Sequence, residues 1–189
     1  MKIYDITQEL FTSSVYPGDT VPAMIPALRI AGGDMCNLSD MNICLHNGTH
    51  IDAPYHFLAD GRTVEQLELT RCMGMVSVKE ASGVITPDEA VRLLEGVEDR
   101  LLIKGEASIT AEAAEIFASA GLLLLGVEPQ SVSDNKTAEV HKILLQSDIV
   151  ILEGIVLDEV SEGEYMLIAF PLKLSGADGS PCRAILIEQ

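Results

Sequence analysis

Gly121-Leu-Leu-Leu-Leu-Gly-Val127 and Ile149-Val-Ile-Leu152 are the two runs that decide the fold of this 189-residue chain. Both are short, continuous and apolar, which suits buried strands. Between them, the segment from Thr137 or Ala138 to Gln146 reads as a helix. Working upstream, Thr110 can cap a helix rich in alanine and glutamate that Gly121 stops. Leu101-Leu-Ile-Lys104 is a short strand. Thr86-Pro87-Asp88-Glu89 starts another helix: Thr86 caps, Pro87 takes the first helical position and Glu89 completes a capping box, with the end near Glu95-Gly96. Met75 to Lys79 alternates as a strand should.

Outside this middle the helical signals stop. Lys2 to Leu10 reads as a strand, and Tyr16-Pro17-Gly18-Asp19 is a tight turn. Asn37 to His46 alternates, with Met41, Ile43 and Leu45 on one face and Asn42, Cys44 and His46 on the other. Tyr165–Leu174 and Cys182–Ile187 read as strands around the turn Gly176-Ala-Asp-Gly179. Strands and helices alternate only in the middle, so the expectation is one α/β domain over residues 1–189. Its sheet is mixed and strand-rich rather than doubly wound and parallel.

Composition narrows the function classes. The chain is 48% hydrophobic. No apolar run reaches the roughly 18 residues of a membrane helix, and the amino terminus lacks the apolar segment of a signal peptide. A cytoplasmic location with no membrane partner is the expectation. A net charge of -17 argues against nucleic acid as a partner. None of Cys36, Cys44, Cys72 and Cys182 forms a C-x-x-C pair, so reduced thiols are expected. No nucleophile elbow, Walker loop or G-x-G-x-x-G fingerprint is present.

Chemistry concentrates elsewhere. Three of the four histidines fall in His46-Asn-Gly-Thr-His50-Ile-Asp52-Ala-Pro-Tyr-His56. Imidazole and carboxylate are the ligand set of zinc, manganese and iron. Asn47-Gly48 signals a turn, and Thr49–Asp52 reads as extended, so His50 and Asp52 point the same way. A turn between His46 and His50 brings both rings beside Asp52. Pro54 forbids a regular helix. A lone histidine is usually structural, but three with a carboxylate in one window are not explained that way. The fourth histidine, His141, lies in the helix before Ile149–Leu152, and Glu153 follows that run. A carboxylate held near the core needs a partner; a cation, a lysine, an arginine or a solvent-exposed strand end would each serve. Together, His46, His50 and Asp52 suit one cation, and His141 with Glu153 helps hold a second, ~4 Å away, with Asp52 as a bridge. His56 is left for proton transfer near neutral pH.

At these residues the chain resembles the metal-dependent cyclase-like hydrolases, the family of bacterial kynurenine formamidase and isatin hydrolase. The motif H-x-G-T-H-x-D-x-P-x-H stands complete from His46 to His56. Tyr16-Pro-Gly-Asp19 resembles the family's aromatic-Pro-Gly-Asp segment. Gly126-Val-Glu-Pro-Gln-Ser131 resembles its Gly-Ile-Asp-x-x-Ser, and Gly179-Ser-Pro-Cys-Arg-Ala184 its Gly-x-Pro-x-Arg-Ala. Tyr16 stands where kynurenine formamidases usually carry Trp, and Glu128 where Asp is common. The resemblance implies a swivelling β/β/α fold, assembled as a homodimer or larger homo-oligomer. It implies one or two divalent cations per subunit, zinc first and manganese second, with His46, His50 and Asp52 binding one and Asp52, His141 and Glu153 the other. It makes His56 the catalytic acid/base and places Tyr16 at the substrate.

The expected activity is hydrolysis of an amide carbonyl in a small-molecule substrate, N-formylkynurenine first, by metal-activated water. A lactam, cyclic imide or lactone is the alternative substrate, and a metal-binding protein without catalysis the alternative class. No metal needs His56, which counts against the latter.

Overall fold

The computed structural model describes residues 1–134 and 138–188. Its centre is a nine-stranded sheet. In chain order the strands of the molecule are β1 (Lys2–Asp5), β2 (Ala23–Leu28), β3 (Leu38–Asn42), β4 (His50–Asp52), β5 (Met73–Glu80), β6 (Gly83–Ile85), β7 (Arg100–Lys104), β8 (Ala107–Ile109), β9 (Leu124–Val127), β10 (Val150–Glu153), β11 (Gly163–Ile168), β12 (Gly179–Pro181) and β13 (Ile185–Glu188). The helices are α1 (Pro87–Leu93), α2 (Ala111–Ser119) and α3 (Glu139–Gln146). The large sheet runs β1-β13-β11-β5-β7-β9-β10-β4-β12. Its middle pairs, β5–β7–β9–β10, are parallel, and every pair outside them is antiparallel. Parallel neighbours need crossovers, which α1, α2 and α3 provide. The mixed sheet expected from the sequence is therefore present, with its parallel part where helix and strand signals alternate.

Two apolar cores lie on its two faces. Leu101, Ile103, Leu125, Val127 and Ile151 face Ala90, Leu93, Ala113, Phe117 and Leu144 of the helices. Leu102, Leu124, Val150 and Leu152 point the other way. There they meet Ile51 from one end of the sheet and Leu167 and Leu186 from the other, so the sheet curls over its own core. This gives two β layers and one helical layer. Central strands covered on both faces must be apolar at consecutive positions, which explains the run of leucines.

Several boundaries differ from expectation, each for a local reason. The first strand ends at Asp5, because Thr7 leaves β13 to bridge Ile155. The strand expected over 37–46 stops at Asn42, where its partner β2 begins. The next residues form a turn in which the Cys44 N–H donates to Asn47 Oδ1 at 2.8 Å and the Asn47 N–H to Cys44 O at 3.2 Å. Thr86 caps α1 by accepting from the Glu89 N–H, but the Glu89 carboxylate pairs with Arg92 and closes no capping box. The strand expected to reach Leu174 ends at Ile168, three residues before Pro171. The paired ribbon β6–β8, and β12, carry too few apolar residues in phase to have been read as such. Of the alternatives for the start of α3, Ala138 is its N-cap and Thr137 lies outside the described residues.

Candidate metal centre

Strand pairing builds the centre. β4 is flanked by β10 and β12, and its register sets His50 opposite Glu153 and Asp52 opposite Gly179. All three residues of β4 are buried. His50 and Asp52, two apart, share a face as expected. The preceding turn depends on Gly48, whose φ of 62° is left-handed. Thr49 locks it down: its hydroxyl donates to Gly154 O at 2.5 Å and accepts from the Gln8 N–H at 2.9 Å. Gly179 leaves room for the His46 ring, since a Cβ there would sit 2.5 Å from His46 Cε1. His46 is thus placed by the Cys44–Asn47 turn, not by strand alternation. After β4, Pro54 opens a single 3-10 turn, Pro54–His56, that presents His56. His141 comes from the buried face of α3, beside Val140, Leu144 and Leu145.

These residues converge. Asp52 Oδ1 lies 2.9 Å from His46 Nδ1 and 3.4 Å from His50 Nε2. Asp52 Oδ2 lies 3.8 Å from His141 Nε2. Glu153 reaches His50 Nε2 through Oε2 at 3.2 Å and His141 Nε2 through Oε1, also at 3.2 Å. The Val132 N–H donates to Glu153 Oε1 at 2.7 Å. His50 Nδ1 lies 2.9 Å from Gly48 O, which fixes that nitrogen as the donor and turns Nε2 toward the carboxylates. All five expected ligands therefore share one cluster. The tightest triads cut across the expected division: His50, Asp52 and Glu153 form one, and His46, Asp52 and His56 the other, the donor atoms within each lying within 4.8 Å of one another. Cys44, which the strand reading placed near this face, belongs to neither triad.

The electrostatics fit a cation. Asp52 and Glu153 are buried. An ion taken out of water costs several kcal/mol, well above the ~1 kcal/mol net value of an ordinary hydrogen bond, so two such carboxylates need positive charge. Burial opposes ionisation of Asp52, yet hydrogen bonds from His46 and His50 outweigh it and hold its carboxyl well below the usual range. The same exchange pushes His50 up to about 10: burial disfavours its charge, and Asp52 and Glu153 override that. His46 and His141 are raised in the same manner, by Asp52 and Glu153 respectively. Asp52 Oδ2 is buried with no hydrogen-bond partner. Buried anionic oxygens, one of them orphaned, ringed by imidazoles, are the donor set of a divalent cation that displaces protons as it binds.

His56 differs from the others. Burial lowers its pKa below the ordinary imidazole value, which favours the neutral ring. It stacks on His46 with ring centres 4.0 Å apart. Asp178 sits 3.3 Å from His56 Nδ1 and 2.9 Å from His46 Nε2. From sequence, Asp178 belongs to the turn Gly176-Ala-Asp-Gly179 and carries no expected role. The turn reaches the site because the Ala53 N–H donates to Asp178 O at 2.9 Å beside β4. Turn residues have no periodicity to reveal such a position.

The cluster opens on a cavity of about 300 Å³, which His56, Phe57, Gln130, Ser131 and His141 help to line. Tyr16, expected at the substrate, stands on its wall and is half exposed. Glu128 does not reach the site: its carboxylate accepts from the Gly105 and Leu157 N–H groups, at 2.6 and 2.7 Å, and staples two loops.

Known proteins resemble this chain in sequence and in fold. A family model described as putative cyclase matches residues 4–134. The kynurenine formamidase of Erythrobacter litoralis (strain HTCC2594) is 37% identical over 204 residues, covering 99% of this chain and 94% of that protein. A predicted metal-dependent hydrolase from Bacillus stearothermophilus superposes with a TM-score of 0.85 at 26% identity, over 98% of this chain and 97% of the other. Isatin hydrolase A from Labrenzia aggregata shares the fold, with a TM-score of 0.86 at 19% identity over 100% and 94% of the two chains.

Proposed function

The chain belongs to the putative cyclase family, and on that premise we propose that it is a metal-dependent amidohydrolase whose substrate is N-formylkynurenine. The observation that carries this reading is the buried cluster of two carboxylates and three imidazoles, opening on a cavity with His56 at its wall. His46, His50 and Asp52 would hold one cation, and Asp52, His141 and Glu153 a second, zinc first and manganese second. When bound, the metal supplies Lewis acidity and lowers the pKa of water.

The chain's own residues do the rest. Asp178 facing His56 Nδ1 favours the tautomer with its proton there, leaving Nε2 as the base. Nε2 takes the proton of the attacking water and returns it to the leaving nitrogen. Tyr16 and Phe57 offer aromatic surface to an aryl substrate. Free thiols at Cys36, Cys44, Cys72 and Cys182 suit a reducing cytoplasm. Among the described residues, no helix is long and apolar enough to cross a membrane.

The active form in this reading is a homodimer or larger homo-oligomer. The β2–β3 hairpin exposes Met24, Ile25, Leu28, Leu38 and Met41, and a two-stranded ribbon is marginal in water on its own. A second copy would cover it.

The test is a substrate panel on zinc- or manganese-loaded protein: N-formylkynurenine, isatin, a cyclic imide and a lactone. N-formylkynurenine should be cleaved with the highest kcat/KM. Preference for any of the other three transfers the same machinery to that substrate class, and inactivity on all four rejects the reading.

A further inference from the structure

Gln130 sits where the cavity beside the metal centre meets a second groove, about 390 Å³, which runs past Val84, Ala107 and Asp134. Gln130, Tyr16 and Ser131 line both spaces. Both amide atoms of Gln130, Oε1 and Nε2, are out of solvent, and neither has a hydrogen-bond partner. Nε2 is close to the backbone beside the histidine turn, since a Cβ on Gly154 would meet Nε2 and Gly48 O at 2.5 Å each. Buried polar groups are nearly always satisfied, and one left unpaired is costly. Here a donor and an acceptor are both unpaired on one side chain, and that side chain lines the space a substrate enters.

We infer that Gln130 is a specificity-determining residue: its unpaired carboxamide turns into the cavity when substrate enters and pairs with a carbonyl or carboxyl group that the substrate carries next to its scissile amide. This rests on the amidohydrolase reading above. A carboxamide edge presents N–H and C=O side by side. An aryl amide with an ortho carbonyl presents the matching edge, its own N–H beside an acceptor oxygen. The groove beyond Gln130 then takes the remainder of that substituent. A site built to hydrogen-bond a substrate group rejects the analogue lacking it, because its own buried polar atoms stay unpaired.

The experiment compares two arylamines of the same shape, 2-aminoacetophenone and 2-ethylaniline, which differ in the carbonyl alone and cannot be hydrolysed. Each is titrated calorimetrically into metal-loaded wild type, Gln130→Met and Gln130→Glu. Wild type should favour 2-aminoacetophenone by about tenfold, and Gln130→Met should erase that preference while binding 2-ethylaniline as before. Gln130→Glu, which loses the donor, should also lose it. The ligand-free melting temperature of Gln130→Met should not fall, because no internal hydrogen bond is removed. Equal loss for both amines, or a preference that survives in Gln130→Met, overturns the inference, as does a drop in melting temperature with the preference unchanged. Cleavage of N-formyl-2-aminoacetophenone by wild type reports separately on the amidohydrolase reading. Discrimination without cleavage keeps Gln130 as the reader of the carbonyl and removes that reading.

Discussion

Two regions of this molecule invert the usual relation between polarity and burial. Around β4 the chain buries its charges: His50, Asp52 and Glu153 are almost wholly out of solvent. In the β2–β3 hairpin it exposes its apolar residues, with every position of both strands open. The first region is over-determined by partners: β10 and β12 in register, the Thr49 hydroxyl, the Gly48 turn and the Asp178 turn. The second pairs with itself alone. Buried charge with fixed donors is what a cation requires, and exposed apolar surface is what another chain requires. In the reading proposed above, a cation completes the first region and a second copy of the chain the second.

The sharpest way to break this contrast is at the catalytic end. Replacing His56 with Ala should lower turnover by about two to four orders of magnitude. Metal content, measured by elemental analysis, should stay at the wild-type level, and normal turnover in that variant would remove His56 from the chemistry. Asp178→Asn tests the support beneath it. Losing the carboxylate that faces both His46 and His56 should cost about 10- to 100-fold in kcat/KM; an unchanged value would make Asp178 a bystander.

A third test reads the buried charge through pH. Without metal, His50 is raised from 6.5 to about 10: burial opposes its charge, and Asp52 and Glu153 outweigh burial. A raised pKa stabilises the fold fully below the unfolded value near 6.5, and that contribution is lost as pH rises toward 10. Metal-free protein should therefore melt at progressively lower temperature across this window. Saturating zinc or manganese takes over the proton's place, so the gain in Tm should grow with pH. With metal at a thousand times its Kd, the gain is ~4 kcal/mol, or roughly 8–16 °C. A gain that shrinks from pH 7 to 9 would contradict the cluster as the binding site.

The smallest expected effect belongs to the hairpin. Ile25→Lys with Met41→Lys should lower the mass seen by analytical ultracentrifugation to that of one chain, while moving the melting temperature of the sheet core by only a few degrees. An unchanged oligomer would place the contact elsewhere.

What was legible in the sequence follows the same divide. The leucines of β9 and the aliphatics of β10 announced a strand covered on both faces, and the alternation around them announced the mixed sheet. The spacing of His50 and Asp52 announced a shared face, because a strand has period two. His141 and Glu153 lie twelve residues apart, and composition could only say that Glu153 needed a partner; the pairing of β10 with β4 supplies it. Asp178 stayed hidden, since its place depends on one long-range backbone hydrogen bond, to Ala53. The exposure of the hairpin stayed hidden for the opposite reason. Its apolar residues look like core residues in sequence, and only the structure shows that they are exposed among the described residues.

The central claim is tested most directly by stripping the protein of metal and titrating zinc or manganese back while following cleavage of N-formylkynurenine. The account predicts no activity at the start, a rise with added metal and a break at one or two equivalents per chain. Full activity in the stripped protein, or none after two equivalents have bound, would contradict it.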